Sequence, residues 1–263
     1  MKKKKISEGD LIERVFVLEK ELGRRPTKWD DYPLYFQARK LFGSWNKFML
    51  AAGYKVRCCQ KIENISFGSD FPYLLGLLVT DGHIYYKPHK FVKVAFYTSY
   101  PEERDFIIDL IKKMFNYNAS FSSKMASFNK KPNYEIRICS KKLADILNKE
   151  WDVPLGAKSS IVRVSQKIMH GSNYSKELFL KGVIDCDGSI TKWGIKITSG
   201  STLFLEDLKQ LLEDLEIHSG SIIVERPTTF SIRINKKKDL LRFKDIYSKG
   251  LSYPRKKESF NKI

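Results

Sequence analysis

The stretch LLGLLVTDG at residues 74–82 returns in altered form as LKGVIDCDG at residues 180–188. Each copy has a glycine in its third position, apolar residues around it and a terminal Asp-Gly. A helix that is apolar almost all round must be buried against a partner. We therefore predict that each copy forms a buried helix and that the two helices pack side by side.

This packing predicts a role for each of two pairs of glycines. Gly76 and Gly182 lack side chains where the two helix backbones can approach closely. Gly82 and Gly188 are expected to end their helices in the left-handed conformation that glycine adopts without strain.

The segments after the two copies also correspond. A hairpin-like stretch, an amphipathic helix and a strand containing Ile-Arg-Ile follow each copy in the same order. The paired segments are 83–98 and 189–199, 101–115 and 201–215, and 136–138 and 232–234. This order predicts an α+β fold with two pseudo-symmetric αββαββα halves, at residues 71–170 and 171–263.

The region before the repeat is predicted to be a small helical domain over residues 1–55, joined by a linker at 56–70. Gly23 is expected to close its first helix, and Ser44 to cap a later one. The first 60 residues contain 14 Lys and Arg against 7 Asp and Glu. This charge favours a DNA-docking module, and a structural cap with solvated charges is the alternative.

The composition limits the classes of function. The 263 residues carry 48 Lys and Arg against 30 Asp and Glu, a net charge of +18, and 42% are hydrophobic. The apolar fraction is sufficient for a folded core, and the charge favours a polyanionic partner. There is no apolar run of about 18 residues and no signal-peptide pattern, so we expect no membrane partner and a cytoplasmic location. The four cysteines have no CxxC spacing, which argues against a zinc ribbon.

Two aspartates carry the predicted chemistry. If the helices pack side by side, Asp81 and Asp187 converge at adjacent helix ends, where the helix dipoles and their own charges make the pair unfavourable. A hard divalent ion such as Mg²⁺ would neutralise the pair and would also accept phosphate oxygens and water. In so basic a chain, this predicts metal-assisted phosphodiester hydrolysis. A single Asp-Gly is more simply a turn, but the repetition argues against that reading.

The predicted strands alternate between apolar and polar residues, which gives each sheet one packed face and one polar face. The polar faces either contact DNA or are solvated, and the overall charge favours DNA. The expected DNA-contacting residues are Lys93, Tyr97, Arg137, Lys196, Thr198, Ser231 and Arg233, with Lys257 near the end of the chain.

The two motifs and the order of elements from 71 to 263 resemble the LAGLIDADG homing endonucleases in their single-chain, two-motif form. The resemblance implies a saddle that straddles double-stranded DNA, with the motif helices at a pseudo-twofold axis. It implies a monomer that cuts both strands across the minor groove. The gene would belong to a mobile intron or stand alone.

The resemblance also implies roles for particular residues. Asp81 and Asp187 would be catalytic and bind Mg²⁺, or another divalent ion such as Mn²⁺, or Ca²⁺ in a non-cleaving complex. The backbone carbonyls of Thr80 and Cys186 would be further metal ligands. A basic catalytic residue near the end of each half is implied at Lys158 and at Lys256, with Lys257 as substitute for the latter. Lys181 stands where the family pattern has a small residue, so packing there is looser or its side chain points outward.

The N-terminal stretches LGRRPTKWDDYP and GSWNKFMLAAGY are similar to helical repeats found beside some homing endonucleases, which implies additional DNA contact. Two other classes of function remain open. A non-cleaving binder, either an RNA maturase that assists intron splicing or a regulator, would use the same scaffold. A metal-dependent enzyme for small phosphorylated substrates would be expected to have a Gly-rich phosphate loop, which the sequence lacks.

Overall fold

The computed structural model describes residues 6–54, 62, 65, 67–87, 91–125, 131–248 and 250–261. The chain divides into two compact units, Met1–Cys59 and Gln60–Ile263. The part of the chain that is described contains no helix long and apolar enough to cross a membrane.

The N-terminal unit contains three helices within residues 6–54: α1 (Glu8–Leu22), α2 (Tyr32–Phe42) and α3 (Trp45–Ala51). Gly23 adopts the left-handed conformation after α1, with φ 61°, and Ser44 caps α3 through its side chain, as predicted. The small core of this unit comprises Leu11, Val15, Leu34, Ala38, Phe48, Met49 and Ala52.

The second unit contains the predicted αββαββα order twice. The first copy consists of α4 (Phe71–Asp81), β1 (Gly82–Lys87), β2 (Phe91–Thr98), α5 (Pro101–Phe115), β3 (Ser120–Met125), β4 (Pro132–Ile138) and α6 (Lys141–Trp151). After the short α7 (Gln166–Met169), the second copy consists of α8 (Asn173–Asp187), β5 (Gly188–Thr191), β6 (Gly194–Ser199), α9 (Thr202–Asp214), β7 (Ile223–Arg226), β8 (Thr229–Ile234) and α10 (Lys237–Ile246). A last helix, α11 (Pro254–Phe260), follows the second copy.

The strands of the described residues form two four-stranded antiparallel sheets, with orders β1-β2-β4-β3 and β5-β6-β8-β7. The two sheets share one register: Gly82 pairs with Phe96 in the first, and Gly188 pairs with Ile197 in the second. Each sheet therefore begins at the residue after a repeated helix. The α+β class and the repeated order are confirmed.

The helices α4 and α8 are in close contact, as Gly76 and Gly182 predict. A Cβ atom on Gly76 would clash with the carbonyl oxygen of Phe179 and lie 3.1 Å from the Cα atom of Gly182. A Cβ atom on Gly182 would clash in the same way with the carbonyl oxygen of Tyr73. The two helices therefore cross where neither has a side chain, and their apolar residues join one core.

Gly76→Ala is expected to reduce the free energy of unfolding by about 1–3 kcal/mol, because the added methyl group forces the two backbones apart. Gly68→Ala is the control, since a Cβ atom there meets no atom within 4 Å. Chemical denaturation of the two variants measures the difference. Equal stabilities would contradict the close crossing.

The expected left-handed conformation of Gly82 and Gly188 is wrong. Gly82 has φ −94° and ψ 175°, and Gly188 has φ −74° and ψ 129°, so both are extended. The strand begins directly after the helix, and a Cβ atom on Gly82 would lie 2.6 Å from the carbonyl oxygen of Leu78. Glycine is required here by lack of space and not by its φ angle.

The predicted linker at 56–70 lies partly outside the described residues. Its described part is not a free connector: Ile62 is buried in the core of the second unit, and Ile65 and Phe67 pack against that core. The Phe67 ring lies 4.2 Å from that of Phe71, measured between centroids. These apolar side chains have no periodicity that would reveal a core segment in the sequence.

Candidate functional site

The side-by-side packing of α4 and α8 puts Asp81 and Asp187 into one electrostatic site. The pKa of Asp187 is raised to about 7, first by burial and second by the charge of Asp81. The Asp81 carboxylate is more exposed, and burial still raises its pKa, against a hydrogen bond from Cys186 and the charge of Lys158. The protein therefore holds two carboxylates where a second negative charge is unfavourable.

A lysine meets the end of each helix. The Nζ atom of Lys158 donates to the carbonyl oxygens of Val79 and Thr80, at 2.6 Å for the latter. Burial lowers its pKa to about 8, and the charges of Asp187 and Asp81 oppose that shift. A helix C-terminus carries partial negative charge, so an ammonium group there is stabilised.

The second lysine lies just beyond the end of α8, at the first residue of β5. The Nζ atom of Lys256 donates to the carbonyl oxygen of Gly188, and the side chain is buried. Its pKa is lowered by burial and then by the neighbouring Arg255. Lys257 is exposed, so the structure brings Lys256 to this helix end and leaves Lys257 at the surface.

The residues at the ends of α4 and α8 fit a hard divalent ion that takes few of its ligands from the protein. Asp81 and Asp187 would supply carboxylate oxygens, and burial, followed by the charge of Asp81, raises the pKa of Asp187. The carbonyl of Thr80, expected to be a ligand, accepts a hydrogen bond from Lys158 at 2.6 Å. The described ranges contain no group of three or more His, Cys, Asp or Glu side chains that could hold a metal. Mg²⁺ suits such a set, because it keeps several waters and binds phosphate oxygens.

Comparison with known proteins agrees with this arrangement. Residues 175–247 match the family described as the LAGLIDADG-like domain. Residues 6–55 match the homing endonuclease associated repeat, so both resemblances are confirmed. No curated protein matches the chain.

Solved structures share the LAGLIDADG fold of the second unit. The homing endonuclease I-DmoI in complex with DNA and Mn has 18% sequence identity and a TM-score of 0.54, covering 69% of this chain and 97% of that chain. A structure of mesophilic I-DmoI variants has 18% identity and a TM-score of 0.53, covering 68% and 94%. Both matches establish the fold.

A cleft of about 460 Å³ opens beside the two LAGLIDADG helices, lined in part by Asp187, Lys158 and Thr198. His83, which we did not predict, also lines it, and burial lowers its pKa. A single histidine after Asp-Gly gives no signal in the sequence. Asp187 and Lys158 therefore line the same cleft.

The polar face of the first sheet is organised around Glu135. Its carboxylate forms an ion pair with Lys93, accepts a hydrogen bond from the Tyr97 hydroxyl at 3.3 Å and lies 4.0 Å from Arg137. Three of the predicted DNA-contacting side chains therefore converge on one carboxylate. Burial alone would raise the pKa of Glu135, but its contacts with these side chains lower it.

In the second sheet the corresponding cluster forms around Glu225, which lies on β7, whereas Glu135 lies on β4. Its Oε1 atom lies 3.1 Å from Arg233, 3.7 Å from Lys196 and 2.7 Å from the hydroxyl of Ser231. Ser231 was expected to contact DNA, but its side chain is fully buried and donates to Glu225. The alternation of β8 was read correctly, but the neighbouring strand β7 covers this position.

Lys181 is half-buried, and burial lowers its pKa. The glycine after it still allows the close crossing of α4 and α8. Of the two alternatives expected for Lys181, looser packing and an outward-pointing side chain, the close crossing therefore argues against the first.

Proposed function

We propose that this protein is a monomeric, site-specific DNA endonuclease that cuts both strands of its target with a divalent metal ion. The observation that carries the proposal is the pair of carboxylates Asp81 and Asp187 at adjacent helix ends, each end also holding a lysine amine. A protein that only binds DNA has no need of two converging carboxylates. I-DmoI, which shares the fold, is a homing endonuclease with structures in complex with DNA and Mn.

Asp81 and Asp187 hold Mg²⁺ or Mn²⁺ in this proposal. The ion supplies charge stabilisation at the phosphate and a water of lowered pKa. Lys158 holds a proton at the C-terminal end of α4 and Lys256 holds one just beyond that of α8, and each opposes the negative charge that develops on one phosphate. One lysine then serves each DNA strand.

DNA binding is assigned to the polar faces of the two sheets and to the N-terminal unit. The net charge of +18 matches a phosphate backbone. The N-terminal unit adds exposed aromatic side chains, including Trp29 at 72% and Phe36 at 62% exposure, beside its basic residues. Aromatic rings among lysines and arginines suit contact with nucleic acid.

The proposal is tested with a supercoiled plasmid library that carries genomic fragments from the host organism. The protein and Mg²⁺ are added, and linear plasmids are isolated and sequenced at their ends. We expect one site or a few related sites to be recovered. Tight binding without any cutting would contradict the proposal and favour a non-cleaving binder such as a maturase or a regulator.

Lys158→Met and Lys256→Met are each expected to slow the cleavage of one strand by about 10²–10³-fold, so that nicked plasmid accumulates. The two variants should slow opposite strands, because the two lysines lie at different helix ends. End-labelled duplexes that carry the recovered site measure the two strands separately. Lys149→Met is the control, since that side chain is exposed on α6 and has no assigned role. Equal slowing of both strands by either variant would contradict the assignment.

A further inference from the structure

The segment that carries Lys256 is attached to the first αββαββα copy by an ion pair with a buried carboxylate. The Nε atom of Arg255 lies 2.6 Å from Oε1 of Glu103 in α5, and the Glu103 side chain is 2% exposed. The other carboxylate oxygen of Glu103 accepts a hydrogen bond from the hydroxyl of Thr98 at 2.5 Å. The Arg255 guanidinium also lies 4.9 Å from the ring centroid of Tyr100. Arg255, which is adjacent to Lys256, is therefore held by the first copy.

The segment that carries Lys158 has a reciprocal attachment to the second copy. Arg163 donates two hydrogen bonds to Asp207 in α9, at 2.7 and 3.1 Å, and the Asp207 side chain is 7% exposed. The backbone N–H of Val164 donates to the same carboxylate at 3.0 Å. Two parallel bonds between a guanidinium and a carboxylate fix orientation as well as distance.

Hydrogen bonds of the backbone connect each attached segment to the lysine that it contains. The N–H of Val162 donates to the carbonyl of Lys158 at 2.8 Å, and the Ser201 hydroxyl of the second copy donates to the carbonyl of Val162 at 2.8 Å. The N–H of Lys256 donates to the carbonyl of Tyr253 at 2.9 Å.

Asp185 in α8 holds the start of the segment with Lys256. Its buried carboxylate accepts hydrogen bonds from the N–H groups of Ser252 and Tyr253, at 3.1 and 3.3 Å, and from the Tyr73 hydroxyl at 2.8 Å. Arg255 and Asp185 therefore fix the segment from two sides.

We propose that Glu103 and Asp207 are positioning residues, each of which reaches across the pseudo-twofold axis to set the lysine of the other copy: Glu103 sets Lys256 and Asp207 sets Lys158. The effect on cleavage rests on the proposed endonuclease function, but the effect on the lysines does not. Each lysine then depends on both copies.

The first test needs no DNA. The folded protein is treated with a low concentration of acetic anhydride, and acetylation of each lysine is measured by mass spectrometry. Glu103→Gln is expected to raise labelling of Lys256 several-fold without changing Lys158, and Asp207→Asn should do the reverse. Lys257 is the internal reference for an exposed amine. Asp214→Asn is the matched control, because it removes a 2.6 Å ion pair with Lys176 that touches neither segment.

Thermal melting first establishes that each variant is folded. Arg255→Gln and Arg163→Gln provide a second pair if a carboxylate variant fails to fold, because the arginines are 37% and 49% exposed. Labelling that does not change, or that rises equally at both lysines, would overturn the proposal.

The second test compares the cleavage of the two strands at the recovered site. Glu103→Gln is expected to slow, by about 10–100-fold, the strand that Lys256→Met slows, and Asp207→Asn the other strand. Equal slowing of both strands by each variant would overturn the positioning roles. If the wild type cuts no DNA, the endonuclease proposal fails, and lysine labelling still decides whether Glu103 and Asp207 position the two lysines.

Discussion

Asp81→Asn and Asp187→Asn are each expected to reduce DNA cleavage by about 1,000-fold or more. Loss of one carboxylate removes half of the protein's charge at the metal, which is worth several kcal/mol in the transition state. Binding of the target should be unchanged or slightly tighter, because removal of a negative charge near the phosphates reduces repulsion. Strand cleavage at the recovered site and a mobility-shift titration measure the two effects separately.

Asp70→Asn is the matched control for this pair. Asp70 precedes the other end of α4 and forms an ion pair with Lys113 at 2.7 Å. Asp70→Asn makes the same substitution at the same helix, but at a position away from the proposed metal. Cleavage near the wild-type rate in Asp81→Asn or Asp187→Asn would exclude the shared metal centre.

The stability of the metal-free protein is expected to fall as the pH rises from about 4 to 7. The folded state raises the pKa of Asp187 from 3.8 to about 7, so it binds a proton that the unfolded chain has already released in this range. Since stability falls with pH wherever the folded state binds more protons, Asp187 costs up to about 1.4 kcal/mol per pH unit there. Asp187→Asn should therefore be more stable than the wild type at pH 7.5 in EDTA, by a few kcal/mol.

Chemical denaturation at pH 4.5 and pH 7.5 in EDTA checks this expectation. Asp185, whose burial raises its pKa to about 6, titrates in both proteins, so the difference between wild type and variant reports Asp187 together with its interaction with Asp81. Mg²⁺ at pH 7.5 should stabilise the wild type more than the variant. An Asp187→Asn protein that is less stable than the wild type at pH 7.5 without metal would contradict the account.

Repetition in the sequence is what made most of the fold predictable. The helix at 101–115 and its counterpart at 201–215 are observed at Pro101–Phe115 and Thr202–Asp214. Gly76 and Gly182 predicted the helix crossing, because only the absence of a side chain permits such an approach. These signals are local and occur twice, so each copy supports the interpretation of the other.

Other features could not be predicted, because they depend on contacts between distant segments. Glu103 and Arg255 are separated by 152 residues, and Tyr73 and Asp185 by 112. Asp185 left one trace in the sequence, an acidic residue where the first copy has Val79. Glu225 comes from β7, a strand whose register includes a bulge, so its position beside Ser231 is not visible in an alternating pattern.

The most direct test of the central claim is a time course with supercoiled plasmid that carries the recovered site, in Mg²⁺ and in EDTA. The account predicts nicked and then linear plasmid in Mg²⁺. In EDTA it predicts no cutting, while a mobility shift still shows the bound DNA. Cutting in EDTA, or tight binding without cutting in any divalent ion, would contradict a metal centre formed by Asp81 and Asp187.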